Sequence, residues 1–287
     1  MKPAPFAYHR AESLDQALAL IDRHGDEARL LAGGQSLVPM LNLRIARFAH
    51  LVDINPLHDL DYVREAAGAL EIGALTRHVT LERSELVRRL CPILTAAARS
   101  IGHVAIRERG TFGGSLALAD PAAELPLIAV LLDAELEIAS STGRRRVPAR
   151  EFFVGVLTTA LEPDELLVGA RFPALAKGEG FGLHAVTRRA GDFALVHAGA
   201  TARLEDGRIA DLRMALGGVG ATPVALDALE RAQVGVTPDA AWAEAVAQAA
   251  AAEVRPHDDP HASAAYRRDL VAVLLARALD DALDGAR

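Results

Sequence analysis

Two glycine turns carry the residues best suited to hold a ligand. One is Leu31-Ala32-Gly33-Gly34-Gln35-Ser36-Leu37 and the other is Thr111-Phe112-Gly113-Gly114-Ser115-Leu116. Each sets adjacent glycines beside a small hydroxyl residue. A residue without Cβ lets a ligand approach the backbone, and successive N–H groups form anion-binding concavities. Neither turn ends in Gly-Lys-Ser/Thr, and neither contains Gly-x-Gly-x-x-Gly, so the two common phosphate fingerprints are absent. One Gly-Gly pair alone reads as a tight structural turn. Two such turns in one chain point to a pyrophosphate held from two sides.

Carboxylates follow the second turn. Asp120 stands where it can cap the helix expected from Asp120-Pro121 through Leu132, and Glu124 lies one turn further in, where a carboxylate suits the helix dipole. Both types also accept hydrogen bonds from the hydroxyls of a ribose or ribityl chain. The ten histidines show no metal-ligand spacing and no Ser/His/Asp arrangement. The single cysteine, Cys91, cannot alone ligate an iron–sulfur cluster or a structural zinc, and between Leu90 and Pro92 it reads as a buried apolar thiol.

The elements that must position these residues follow from periodicity and turn chemistry. Ser13 and Gln16 form a capping box for a helix through Leu14, Leu18 and Ile21, closed by Gly25. Arg29–Ala32 is a short strand delivering the first turn, and His50–Ile54 is a second strand, closed by Asn55-Pro56. Ala69–Gly73, Glu135–Ala139 and Leu166–Phe172 read as strands; Leu81–Leu90 and Ile93–Ile101 read as helices. Arg144-Arg145-Arg146 reads as a solvated hairpin tip, with a docking patch as the alternative. Ala174–Gly180 reads as a linker. Beyond it, Phe181–Val186, Phe193–Leu204 and Arg208–Leu216 are strands, with Asp206-Gly207 as a hairpin turn, followed by helices over Ala240–Glu253 and Ser263–Leu283.

At 287 residues, 51% hydrophobic and 24% charged, the chain can bury a sizeable core. Its net charge of −7 excludes a general nucleic-acid surface. Met1–Arg10 has no apolar signal core, and no apolar run is long enough to span a bilayer, so the chain is expected to be cytoplasmic.

The segments AGGQSLVPMLNLR, HLVDIN, IRERGTFGGSLALADPAAELP, RRAGDFALV and DPHASAAYRRDL together resemble the FAD-binding medium subunit of the molybdenum hydroxylases. This group includes aerobic carbon monoxide dehydrogenases, N-heterocycle dehydrogenases and the FAD portion of xanthine dehydrogenase. The resemblance implies an α+β fold: a two-lobed FAD-binding domain of the vanillyl-alcohol-oxidase type over residues 1–175, with lobes of about 1–56 and 57–175, then a C-terminal domain over 176–287 with a three-stranded antiparallel sheet and helices. It implies that Leu30, Leu31, Ala32, Gly33, Gly34, Gln35, Ser36 and Leu37 wrap the FAD pyrophosphate, with Thr111, Gly113, Gly114 and Ser115 on its other side. Ile101 matches a packing position, Glu124 a ribityl contact with Asp120 nearby, and Leu167 an apolar flavin contact. His184 matches a polar position near the isoalloxazine, or is simply a polar residue on a strand edge. Asp192-Phe193 faces the flavin or fills the sheet core, and Tyr266-Arg267-Arg268 caps and orients the terminal helix rather than touching substrate.

The same resemblance implies an electron-transfer subunit without a side-chain catalyst. Its partners would be a molybdopterin large subunit and a small subunit with [2Fe-2S] clusters, in a dimer of heterotrimers. A stand-alone flavin oxidoreductase and a non-redox nucleotide-binding scaffold remain the alternatives.

Overall fold

The computed structural model describes residues 2–287. The chain begins with a small parallel lobe: β1 (Ala7–Arg10), α1 (Leu14–His24), β2 (Ala28–Leu31), α2 (Leu37–Asn42) and β3 (His50–Asp53). The capping box at its start is real. Ser13 Oγ accepts the Gln16 N–H at 3.2 Å, Gln16 Oε1 accepts the Glu12 N–H at 2.7 Å, and Gly25 closes α1 at φ +50°. β3 lies between β1 and β2, parallel to both. α1 buries Ala17, Leu18 and Ile21 against Val52 and Ile54, and the same cluster takes in Leu75, Ala139, Leu166 and Val168 from the next lobe. The two lobes therefore share one apolar seam.

The second lobe runs through β4 (Val63–Ala66), β5 (Ala69–Gly73), α3 (His78–Arg83), α4 (Glu85–Leu90), α5 (Pro92–Ser100), α6 (Val104–Arg107), α7 (Phe112–Leu118), α8 (Glu124–Leu131), β6 (Glu135–Ser140), β7 (Gly143–Pro148), α9 (Ala149–Phe152), β8 (Phe153–Gly155), β9 (Thr158–Thr159) and β10 (Leu166–Pro173). Its main sheet is antiparallel in the order β4-β5-β10-β6-β7. Successive residues of β10 face opposite sides and serve two cores, Leu167 in the second lobe and Leu166 and Val168 in the shared seam, and the irregularity between Leu167 and Gly169 shifts the phase so that Ala170 and Phe172 also join the second-lobe core.

Two expected elements differ. Leu81–Leu90 is not one helix: Ser84 leaves helical geometry at ψ 121°, and its Oγ accepts the Val87 N–H at 3.3 Å, starting α4 afresh. Arg144–Arg146 is not a hairpin tip but part of the edge strand β7. There Arg144 pairs with Glu137 at 2.7 Å and Arg145 with Glu165 at 2.6 Å. Charged side chains on an edge strand also discourage unwanted strand pairing.

The chain ends in β11 (Glu179–Thr187), β12 (Ala194–Glu205), β13 (Arg208–Gly217), β14 (Val224–Ala225), α10 (Asp227–Gln233), α11 (Trp242–Glu253) and α12 (Ala264–Ala286). The expected three-stranded antiparallel sheet is there, with the two-residue β14 added at its edge. Asp206 (φ +50°) and Gly207 (φ +74°) form its hairpin turn. α12 lies directly on the backbone of β11: a Cβ on Gly182 would come within 2.7 Å of Ala278 Cα. The other sheet face meets α8, where Leu131 reaches Gly199. All residues of α8 from Leu125 to Leu131 are buried, as expected of a helix covered on every side.

Candidate functional site

β2 delivers the first turn at its C-terminal end, and α2 leaves it. Gly34 adopts φ +71°, and Gln35 Nε2 donates to the Gly33 carbonyl at 3.1 Å, holding the turn's shape. Among the described residues, none accepts a hydrogen bond from the N–H of Gly33, Gly34, Gln35 or Ser36. Four consecutive donors left unpaired are what an anion-binding loop requires.

The second turn is built differently. Phe112 N–H donates to Thr76 O at 2.8 Å, Gly113 N–H to Ala74 O at 2.8 Å, Gly114 N–H to Thr111 Oγ1 at 3.2 Å, and Ser115 N–H to Thr111 O at 3.1 Å. Its N–H groups are thus spent within the protein, and the expectation of two matching N–H concavities holds for the first turn alone. What the second turn offers is a side-chain-free surface at the exposed Gly114 and the hydroxyl of Ser115, which makes no hydrogen bond to a described residue.

The turns face each other. A Cβ on Gly114 would lie 3.9 Å from Ala32 Cβ, and one on Gly33 would strike the Arg109 carbonyl and come within 2.8 Å of Gly110 Cα. Two side chains clasp them. Asn55 Nδ2 donates to Ala32 O at 2.9 Å, and its Oδ1 accepts from Arg77 Nη2 at 2.7 Å. Arg77 Nη1 donates to the Arg109 carbonyl, just before the second turn. His78, buried and lowered to about 4 by desolvation, is neutral; its Nε2–H donates to Thr111 O at 2.9 Å. Nothing in the spacing of the sequence announces Arg77 or Asn55. They act by joining segments that only the fold brings together.

α7 runs about 10 Å from the second turn, at 1.5 Å per residue, and ends at Ala119 in left-handed geometry. Asp120 does not cap the next helix. Its Oδ1 accepts the Ala122 N–H at 2.9 Å, and α8 starts only at Glu124 with Ala123 as its cap residue. Glu124 is half-buried. Burial, reinforced by Asp120 and partly offset by a backbone hydrogen bond, pushes its carboxyl up to about 7.

Beyond α7 lies a cavity of about 590 Å³ whose walls include Asp120, Pro121, Leu157, Asp192, Phe193 and Arg267. The glycine turns are not among its walls, so turns and cavity are two ends of one α7-linked region. Phe193 is exposed into it rather than buried in its sheet. Arg267 is 7% exposed and donates to the carbonyls of Leu195 and, at 2.9 Å, Gly218, and to Asp259 Oδ2 at 2.6 Å. It ties α12 to the strand ends that form the cavity wall. The helix itself is capped by Ser263.

Three further predicted positions are not among the cavity walls, though the core that takes in two of them also holds Phe112 and Leu116 of the second turn. Leu167 is buried in the second-lobe core, and Ile101 packs against the same core while half-buried. His184 faces α12 across the C-terminal sheet, its Nε2 2.8 Å from Asp281 Oδ2, and so stands on the strand face opposite the one that meets α8.

The two-lobed fold presents an open anion-binding turn of the kind that holds a phosphate group, and comparisons with known proteins specify the class. Residues 4–175 match the family described as FAD binding domain in molybdopterin dehydrogenase, and residues 182–282 match the CO dehydrogenase flavoprotein C-terminal domain. The chain belongs to this family of FAD-binding subunits of molybdenum hydroxylases. It is 39% identical to the 6-hydroxypseudooxynicotine dehydrogenase complex subunit alpha of Paenarthrobacter nicotinovorans, over all of this chain and 97% of that relative. It is 36% identical to the glyceraldehyde dehydrogenase medium chain of Sulfolobus acidocaldarius, over 98% of this chain and 99% of that one. Among solved structures, a carbon monoxide dehydrogenase chain from Hydrogenophaga pseudoflava superposes with a TM-score of 0.97 at 36% identity, each chain fully covered. A quinoline 2-oxidoreductase chain from Pseudomonas putida 86 gives 0.95 at 35% identity, covering 100% of this chain and 99% of that one. Among the described residues, no helix is long and apolar enough to cross a membrane.

The titration of Glu124 has a measurable consequence. The folded carboxyl keeps its proton to about pH 7, whereas the unfolded one releases it near 4.5. The folded state therefore binds the extra proton between these values, and stability falls as pH rises through that window. Flavin-free Glu124→Gln is expected to match the parent below about pH 4.5 and to exceed its stability by about 3 kcal/mol above about pH 7. Urea melts across this range check it; a difference independent of pH would refute the assignment.

Proposed function

We propose that this chain is the electron-transfer flavoprotein of a multi-subunit molybdenum hydroxylase, collecting electrons from [2Fe-2S] clusters on a small partner and handing them to an external acceptor. The bound flavin supplies two-electron storage with one-electron exchange, while the protein supplies position and environment. The observation that carries the reading is the row of unpaired N–H groups from Gly33 to Ser36 facing a second turn cleared of side chains at Gly114.

In this reading Leu30 to Leu37 hold the pyrophosphate, with Thr111, Gly113, Gly114 and Ser115 closing over it. Gly33 to Ser36 donate N–H groups to the phosphate oxygens, and the Asn55–Arg77 clasp keeps the donors aimed. Asp120 and Glu124, at the far end of α7, accept from ribityl hydroxyls. Leu157 and Phe193 put apolar surface on the cavity wall. No side chain needs to move a proton in the transfer. The lone cysteine supports the placement of iron–sulfur clusters on another chain, and molybdopterin on a large subunit, in a dimer of heterotrimers in the cytoplasm. We also read 1–175 and 176–287 as the two domains.

The test has two arms. The isolated chain is expected to take up one noncovalent FAD on reconstitution, and failure to bind overturns the FAD site. The native complex is expected to carry molybdenum and iron in larger co-purifying chains identified by mass spectrometry. Turnover by the isolated chain, with no partner recovered, would support the stand-alone oxidoreductase instead.

Arg77→Met tests the clasp. It removes two hydrogen bonds from charged nitrogen atoms, one to the half-buried Asn55 side chain, worth about 1.5 kcal/mol or more, and one to the exposed Arg109 carbonyl, worth less, of which the affinity senses a part. FAD affinity is expected to fall about tenfold by fluorescence titration, with Asn55→Ala adding little once Arg77 is gone. Additive losses from the pair would contradict a shared clasp.

A further inference from the structure

Away from the flavin region, three histidines from three elements of the small lobe come together. His9 is in β1, His24 is the last residue of α1, and His50 opens β3. In the parallel β1–β3 pair Ala7 lies opposite His50 and His9 opposite Val52, so both histidines stand on the face that α1 covers. His9 Nε2 is 2.9 Å from His50 Nδ1, the His24 and His50 rings stack with centroids 3.7 Å apart, and His9 lies 5.3 Å from His24 by the same measure. One ring nitrogen from each falls within 4.8 Å of the others, and all three side chains are half-buried.

We propose that His9, His24 and His50 form a binding site for a borderline divalent transition metal, zinc above all, that clamps β1, α1 and β3 together. Zinc–imidazole bonds of about 2.1 Å put tetrahedral ligand atoms about 3.4 Å apart, so the 2.9 Å pair already has the right scale and small ring rotations bring in the third nitrogen. An all-imidazole set favours zinc, nickel or copper over magnesium or calcium, which prefer oxygen ligands. Three protein ligands leave a fourth position for solvent.

The cluster is otherwise poorly explained. Among the described residues, no carboxylate hydrogen-bonds any of the three rings. A clamp here also bears on the fold's purpose, because β3 leads straight to Asp53 and Asn55, which fix the first turn through Ala32.

The test uses untagged full-length protein and zinc chloride. Calorimetry and metal analysis after desalting are expected to show one zinc per chain, weakened at least tenfold in each of His9→Gln, His24→Gln and His50→Gln. Zinc should raise the melting temperature of the parent and not of the triple variant. Cobalt(II) in place of zinc should give the visible bands of a tetrahedral nitrogen site. FAD stoichiometry serves as the folding control, and it stays at the parent value whatever the fate of the metal site, which separates this proposal from the flavin reading. His24, at an exposed helix end, is the variant least able to disturb the fold. Absence of zinc from the parent, or equal binding by the triple variant, overturns the proposal.

Discussion

Gly33→Ala is expected to abolish FAD binding in practice, weakening it by at least about a hundredfold, and to cost the fold about 3 kcal/mol. The reason is steric and not conformational, since Gly33 does not occupy the left-handed region. A methyl group there would drive into the Arg109 carbonyl and lie 2.8 Å from Gly110 Cα, both of them backbone atoms that cannot swing aside. The only relief is to move the first turn away from the segment that leads into the second. That motion breaks the Arg77–Arg109 contact and misaims the unpaired N–H groups of residues 33–36. Gly178→Ala provides the contrast: it sits at φ +78° with nothing within 4 Å of a new Cβ, so it carries only a backbone penalty of about 1 kcal/mol and leaves FAD binding unchanged. FAD titration and urea melts of the two variants decide the matter. Stoichiometric FAD on Gly33→Ala at the parent affinity would show that the turns do not act as one clamp.

The contrast between the turns also shows where the sequence stops being informative. Paired glycines mark both turns equally, yet only the fold reveals that one has free N–H groups and the other has spent them on Ala74, Thr76 and Thr111. Glycine in the first turn clears space for the neighbouring backbone. At Gly113 it does so as well, against Ala74, so part of the repeated signal reports packing and not ligand contact.

Local grammar was legible wherever a single side chain sufficed. The Ser13–Gln16 box and the Asp206-Gly207 turn both stand as read, whereas the terminal helix is capped by Ser263 and not by Tyr266-Arg267-Arg268. It failed where two signals competed. Asp120-Pro121 has the composition of a helix start, but Asp120 turns back on Ala122 and delays the helix to Glu124. The arginine run looked like a solvated tip because its partners Glu135, Glu137 and Glu165 are remote in sequence. The short strands β1, β4, β8 and β9 and the short helix α2 carry too few residues to show a period. His184 illustrates the limit of motif spacing: a one-residue change of phase along β11 decides whether a side chain meets α8 or α12, and Gly182 and His184 share the α12 phase.

Arg267→Met is expected to be the most damaging change in the C-terminal domain, lowering stability by about 3 kcal/mol and the melting temperature by about 6–12 °C. The sequence presents Arg267 and Arg268 as equivalent members of one basic pair, but the fold buries the first and leaves the second partly exposed. Arg267 supplies donors to the carbonyls of Leu195 and Gly218 and to Asp259, joining α12 to the ends of β12 and β13. Methionine fills much of the same volume yet donates nothing, so two strand-end carbonyls and one carboxylate lose their partner together. The half-exposed Asp259 recovers part of its loss from water, which keeps the expected effect below that of a fully buried pair. Arg267→Lys should recover the contact with Asp259 but not all three acceptors, because an ammonium cannot reproduce the planar spread of the guanidinium. Arg268→Met should stay within about 0.5 kcal/mol of the parent. Leu195, Gly218 and Arg267 share the cavity wall, so, on the proposal that this cavity receives the flavin ring, Arg267→Met should also raise the flavin's solvent accessibility, read as increased quenching of its fluorescence by iodide. Equal stability of the Arg267 and Arg268 variants would show that this buried arginine does not organise the wall.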